Sequence, residues 1–289
     1  MAISRFHTGW RRLIPFAGSH HVLMALLIFS MVLLSIMIAG CTTSGNLQNV
    51  YILSLSYVAT TDISTSPSPL QLNPNITTAF SQFVSTHRPM KVRVSYFGMC
   101  ISQESSQWMC AGNAGTLSSM IKLYGNSKSG EQDPLNLIWI AGKFKDEMLF
   151  SGLLLTAVPL AFVSILLLAT WPNWHEETDD AGSEREVKPF PSRLTANVTI
   201  GMLTLGSLFC FISVLLQHVA SATGSVMTEA LSYSTVKGTI GTTSMVLGWG
   251  GSLLYTITLA GLVVMSVAMS RPIDDSSSNS GSSMSLVED

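Results

Sequence analysis

The chain has 289 residues, 47% of them hydrophobic and only 11% charged, where a soluble domain carries about 25% charged side chains. That deficit excludes an ordinary soluble globule and points to lipid. A formal net charge of −2 supplies no basic excess, so no nucleic-acid partner is expected.

In chain order, residues 1–21 carry Arg5, Arg11 and Arg12 ahead of a first apolar run at 22–41, VLMALLIFSMVLLSIMIAGC. About 20 uncharged apolar residues in succession are what a transmembrane helix needs. Three further runs qualify, at 148–171, 196–217 and 243–269, and none of the four contains Asp, Glu, Lys or Arg. Ile38-Ala39-Gly40-Cys41 has the form of a lipoprotein cleavage box. The run before it is longer than the roughly 7–15 apolar residues of a secretion signal, so a retained anchor is expected.

Basic residues in short flanks set orientation. Arg5, Arg11 and Arg12 precede the first span, Arg185, Lys188 and Arg193 lie in the segment 172–195, and Arg271 opens the tail. The segment 218–242 has only Lys237. Both termini and the 172–195 loop are therefore expected in the cytosol, with 42–147 and 218–242 outside. Asn75-Ile76-Thr77 in the large loop is a glycosylation sequon, making Asn75 the candidate glycosylation site. The 172–195 loop, with NWHEETDDAGSEREVKPFPSR, is acidic and poor in large apolar residues and reads as a solvated linker. The serine-rich tail, 270–289, reads as disordered by composition.

The loop 42–147 is too long for a bare connection and should fold. Val50 to Val58 favours strand, and Met90 to Ile101 alternates, with Val92, Val94 and Tyr96 on one face and Lys91, Arg93 and Ser95 on the other. SPSPLQLNPN between them reads as a turn-rich excursion. DPLNLIWIAGKFKDEM suggests a short amphipathic helix, with Asp133 as N-cap, Pro134 at its first position, and Leu135, Ile138 and Trp139 against the sheet or the lipid interface. The expected architecture is a mainly α membrane protein, a four-transmembrane-helix bundle with a small extracellular β-sheet domain between helices 1 and 2.

Four cysteines are present. In an oxidising compartment, Cys100 and Cys110 on adjacent strand segments read as a disulfide, with free thiols as the alternative. A zinc site needs about four ligands, and His87 is the loop's lone histidine. Cys41 and Cys210 read as small apolar packing residues. The outer acids Asp62, Glu104, Glu131, Asp133, Asp146 and Glu147 are dispersed, without the spacing of a calcium loop. No nucleophile elbow, phosphate loop or zinc-protease pattern occurs. The expectation is a non-enzyme with no cofactor and no metal, whose first partner is the lipid bilayer. Pro159 is expected to bend its span, and Gly206 with Cys210 and Gly248 with Ser252 to allow close helix packing.

Ala39-Gly40-Cys41, then Val50-Tyr51-Ile52-Leu53-Ser54-Leu55-Ser56-Tyr57, then Val94-Ser95-Tyr96-Phe97-Gly98-Met99-Cys100 with Trp108 and Cys110, resemble the fungal Fig family of Ca2+ regulator and membrane fusion proteins, pheromone-induced in yeast. Gln217-His218 at the end of the third span matches too. The resemblance singles out Gly40, Cys41, Tyr51, Ser56, Tyr57, Tyr96, Phe97, Gly98, Cys100, Trp108, Cys110, Gln217 and His218. It implies a plasma-membrane regulator of Ca2+ influx and of membrane or cell fusion during mating, polarised growth or development. Since the spans lack charge, action on a separate Ca2+ channel or other membrane protein is expected, not a pore by itself.

More distantly, Phe97-Gly98-Met99 with the Cys pair is similar to the G-L-W, C and C signature of claudins and the wider peripheral-myelin superfamily. Met99 stands where claudins have Trp, and Cys100 follows without a gap. This resemblance implies a claudin-like fold, a left-handed bundle with an outer sheet. It also implies a second role, as a claudin-like or Sur/PalI-type organiser of membrane domains and cell contacts.

Overall fold

A computed structural model describes residues 19–58, 74–85, 90–103, 107–124, 133, 135–171, 175–178, 184–187 and 193–270. Four helices are long and apolar enough to cross a membrane: α1 (Ser19–Ile38), α5 (Gly152–Ala169), α6 (Arg193–Leu231) and α7 (Thr242–Ser270). α1 packs on α5 and α7, and α6 packs on the same two, which closes a four-helix ring. Each span is apolar over most of its circumference because lipid, not water, faces its outer side. Small residues let the helices approach. Gly206 lies against Tyr255 and Leu160, Gly248 against Met37 and Val214, and the Ser30 hydroxyl donates to the Gly251 carbonyl at 2.7 Å. Pro159 lies inside α5, where it removes one backbone donor.

The large connection between α1 and α5 folds as β1 (Leu53–Tyr57), α2 (Pro74–Ser85), β2 (Met90–Val94), β3 (Met99–Gln103), β4 (Met109–Ala111), α3 (Ala114–Tyr124) and α4 (Leu137–Lys143). α4 runs into a π-helical turn, Phe144–Met148, just before α5. A two-stranded pair, β5 (His175–Thr178) and β6 (Glu184–Val187), follows α5. The last strand, β7 (Val236–Ile240), connects α6 to α7. The main sheet is antiparallel throughout, in the order β4-β3-β2-β1-β7.

Register gives each face its character. Leu53, Val94 and Met99 form one cross-strand row and Leu55, Val92 and Ile101 the next, all buried on the face that α3, α4 and α6 cover. The opposite face carries Thr239, Ser54, Arg93, Cys100 and Cys110 in one row, and Lys237, Ser56, Lys91 and Ser102 in the other. Period-two alternation in β2 produces this division: Met90, Val92 and Val94 are buried, Lys91 and Arg93 half-buried.

Several expectations need correction. The sheet is not confined to the segment between helices 1 and 2, because β7 from the last connection pairs with β1 at its edge. Met90 to Ile101 is not one strand. It folds back at residues 95–98, where the Ser95 amide donates to the Gly98 carbonyl at 2.9 Å, and Ser95 is buried and not on a wet face. α6 continues beyond Gln217 to Leu231, because its distal turns pack on β1 and β7 after the continuous apolar run has ended. Within 172–195, β5 and β6 form an antiparallel pair, with Glu177 opposite Arg185 in the register. α2 and α3 were not expected. Asn113 starts α3 by accepting the Thr116 amide at 2.7 Å.

The helix expected at Asp133 begins instead at Leu137, because Asn136 takes a left-handed conformation with φ 52°. Asp133 nevertheless caps it: its two carboxylate oxygens accept the Leu137 and Ile138 amides at 2.8 and 2.9 Å. Ile138 is buried, Leu135 packs partly against the core, and Trp139 is 54% exposed, so only the first two face inward. Pro134, the prolyl excursion at 66–73, Asp62, Glu104, Glu131, His87 and the serine-rich tail lie outside the described residues.

Candidate functional site: the joint between sheet and helices

α1 ends at Ile38, and the chain turns through Gly40 and Cys41 to reach the sheet. Cys41 is left-handed, with φ 54°, and fully buried. Its thiol donates to the Val50 carbonyl at 3.5 Å. The β2–β3 turn is pressed onto this corner. A Cβ on Gly98 would collide with the Cys41 carbonyl, and one on Gly40 would collide with the carbonyl of Val50, so neither position accepts a side chain. Burial pushes the Cys41 thiol pKa up to about 12, against the opposing field of the Arg93 cation, which leaves it protonated at neutral pH.

From the same turn, Tyr96 reaches across to α6. Its hydroxyl donates to Gln217 Oε1 at 3.1 Å, with Tyr96 6% and Gln217 2% exposed. These residues stand 121 positions apart in the chain. Burial raises the Tyr96 pKa to about 12. Phe97, next along the turn, is 42% exposed. His218 points away from this contact and lies edge-on to Trp249 of α7, 6.4 Å between ring centroids.

Cys100 and Cys110 stand directly opposite each other on β3 and β4 and are joined by a disulfide. Beside them Arg93 lies between two aromatic rings, its guanidinium carbon 4.0 Å from the Trp108 centroid and 4.7 Å from that of Tyr51. Its Nη1 also donates to the Gln48 carbonyl at 2.9 Å and to Asn49 Oδ1 at 2.8 Å. Lys91, one row away, has its pKa lowered, first by partial burial and then by the Arg93 charge. Tyr57 closes the far end of β1: its hydroxyl donates to Asp133 Oδ1 at 2.7 Å and accepts the Leu135 amide at 3.2 Å. Burial and the Asp133 carboxylate raise its pKa. Ser56 is half-buried between Lys91 and Lys237 in the ladder.

Gly40, Cys41, Tyr51, Tyr96, Gly98, Cys100, Trp108, Cys110 and Gln217 thus meet in one continuous joint, while Phe97 projects from it. Ser56 and Tyr57 lie along β1, His218 on the outer side of α6, and Asn75 exposed on α2. Arg93 was missed as a site residue, although a cation alternating onto the face of an aromatic-rich strand pair was visible. Among the described residues, no group of three or more His, Cys, Asp or Glu side chains could hold a metal ion.

The family model described as Ca2+ regulator and membrane fusion protein Fig1 matches residues 76–268, two-thirds of the chain. The chain belongs to the Fig1 family. No curated protein matches it. As a Fig1 family member with four helices able to span a bilayer, it is a multi-pass membrane protein of a Ca2+-regulating and membrane-fusion family. The matched region takes in Tyr96, Phe97, Gly98, both disulfide cysteines, Trp108, Gln217 and His218; Gly40, Cys41, Tyr51, Ser56 and Tyr57 precede it.

Proposed function

We propose that this Fig1 family protein acts at the plasma membrane as a regulator of Ca2+ influx and of membrane or cell fusion during mating, polarised growth or development. It works through its disulfide-clasped outer domain upon a separate Ca2+ channel or other membrane protein, and not as a pore by itself. Its termini face the cytosol, in keeping with Arg5, Arg11, Arg12, Lys188 and Arg271 on that side. The supporting observation is the buried Tyr96–Gln217 hydrogen bond, which ties the sheet to a membrane helix, so that a partner held on the sheet can bias the helices. Ca2+ uptake in a deletion strain exposed to mating signals tests this reading. Altered influx and altered fusion are expected; normal values of both reject it. Purified protein in liposomes is expected to pass no Ca2+, and channel-like flux would overturn the regulator role.

A claudin-like or Sur/PalI-type organiser of membrane domains and cell contacts is the second reading. The observation that favours it is Phe97-Gly98-Met99 leading into a bonded Cys pair on an outer sheet above four helices. Tagged protein held in static membrane patches, with unchanged Ca2+ uptake on deletion, would select it.

A further inference from the structure

A cavity of about 580 Å³ opens between the distal turns of α6, α4 and the π-helical turn. Its size falls within the range of about 300–1,000 Å³ usual for ligand sites. Its wall is apolar, formed chiefly by Phe80, Ile140, Phe144, Met148, Met227 and Leu231. Met148 stands just before Gly152, where α5 begins its apolar crossing, so the cavity lies at the edge of the bilayer. Trp139 and Phe150 are exposed beside it, 54% and 61%, at the depth where aromatic side chains anchor proteins to the interface. On α6, Leu216, Val219, Val226, Met227 and Leu231 are all exposed, and of these Met227 and Leu231 line the cavity.

The mouth carries balanced charge. Lys143 and Glu147 both line it, and Lys143 Nζ lies 2.8 Å from Glu147 Oε1, with most of each side chain in solvent. Cation and carboxylate side by side match a headgroup that carries a phosphate and an ammonium group together. An anionic lipid without an amine, such as phosphatidylglycerol, has no cation for Glu147, and a sterol has neither charge.

We propose that the cavity holds an acyl chain of a zwitterionic glycerophospholipid from the sheet-side leaflet, with its phosphate at Lys143 and its ammonium group at Glu147. The bound lipid joins the sheet domain to the membrane surface at a point away from the Tyr96–Gln217 contact.

The full chain in nanodiscs containing a photoreactive diazirine phosphatidylcholine provides the test, with labelled residues mapped by mass spectrometry. Labelling at Met148 and Met227 is expected, at least fivefold reduced by Thr228→Trp, which fills the cavity, while labelling of the lipid-facing Phe162 and Leu166 on α5 stays constant. Met227→Trp, at a half-exposed position, serves if Thr228→Trp does not fold. The exposed pair Lys143→Ala with Glu147→Ala should lower cavity labelling about threefold. Labelling confined to α5, labelling unchanged in the filled variants, or equal labelling of the cavity by photoreactive phosphatidylglycerol or sterol would overturn the proposal.

Discussion

Tyr96 shows how a single side chain links two parts of this protein. Tyr96→Phe keeps the ring but strands the buried Gln217 carbonyl oxygen, a loss of about 1–3 kcal/mol. A lower melting temperature in detergent should report it. Its ionisation adds a pH signature. The folded pKa of about 12 lies above the value near 10 of an exposed tyrosine, so between these limits the unfolded chain loses its proton first. Stability from this group is complete below about pH 10 and declines as pH rises towards 12. The alkaline slope of the melting temperature should therefore be shallower in Tyr96→Phe than in the wild type. Gly98 is constrained by crowding instead. Gly98→Ala drives a methyl group into the Cys41 carbonyl, and about 1–3 kcal/mol of destabilisation is expected in the same melting experiment.

Among the elements, α4 depends on a residue outside its own span. The Asp133 carboxylate accepts two amides of the first turn and the Tyr57 hydroxyl, so one side chain both starts the helix and fastens it to β1. Asp133→Ala should cost about 2 kcal/mol or more, because it leaves three donors without this acceptor. Amide exchange measured by mass spectrometry should quicken over residues 135–143 first. The cap was legible in the sequence as an acid ahead of an apolar period. The starting point was not, since the left-handed turn at Asn136 carries no periodic signal. Strand alternation in β2 was likewise legible, whereas the reversal at 95–98 was hidden because the alternation of Val92, Val94 and Tyr96 runs on into it.

At the scale of the whole molecule, a five-stranded sheet sits on one end of a four-helix ring and is fixed to it by the Cys41 corner, the Tyr96–Gln217 contact, the distal turns of α6 packed on β1 and β7, and the strand β7 itself, which joins α6 to α7. The Cys100–Cys110 bond closes the outer edge of the sheet. Replacing both cysteines by serine should destabilise the sheet domain by about 2–3 kcal/mol and leave the helix content nearly unchanged in circular dichroism. Cys41 and Cys210 are both buried. Thiol-specific alkylation of the native protein should therefore be negligible and should reach two sites per chain only after denaturation without reductant.

The four spans, the strand character of β1 and β2 and the cysteine pair were determined by the sequence itself. Crossing a bilayer requires an unbroken apolar run, and a half-covered strand requires alternation, both properties of contiguous residues. The fifth strand, the length of α6 and the meeting of Tyr96 with Gln217 were decided by tertiary structure alone. VKGTI contains strand-forming residues, but a run of five interrupted by Gly238 is too short a signal without the ladder that β1 offers, and the distal turns of α6, which mix Ser, Thr and Gly with apolar residues, are held by the sheet they pack against. Pairing between residues more than a hundred positions apart leaves no local pattern, because its free energy is realised only when both partners are already in place.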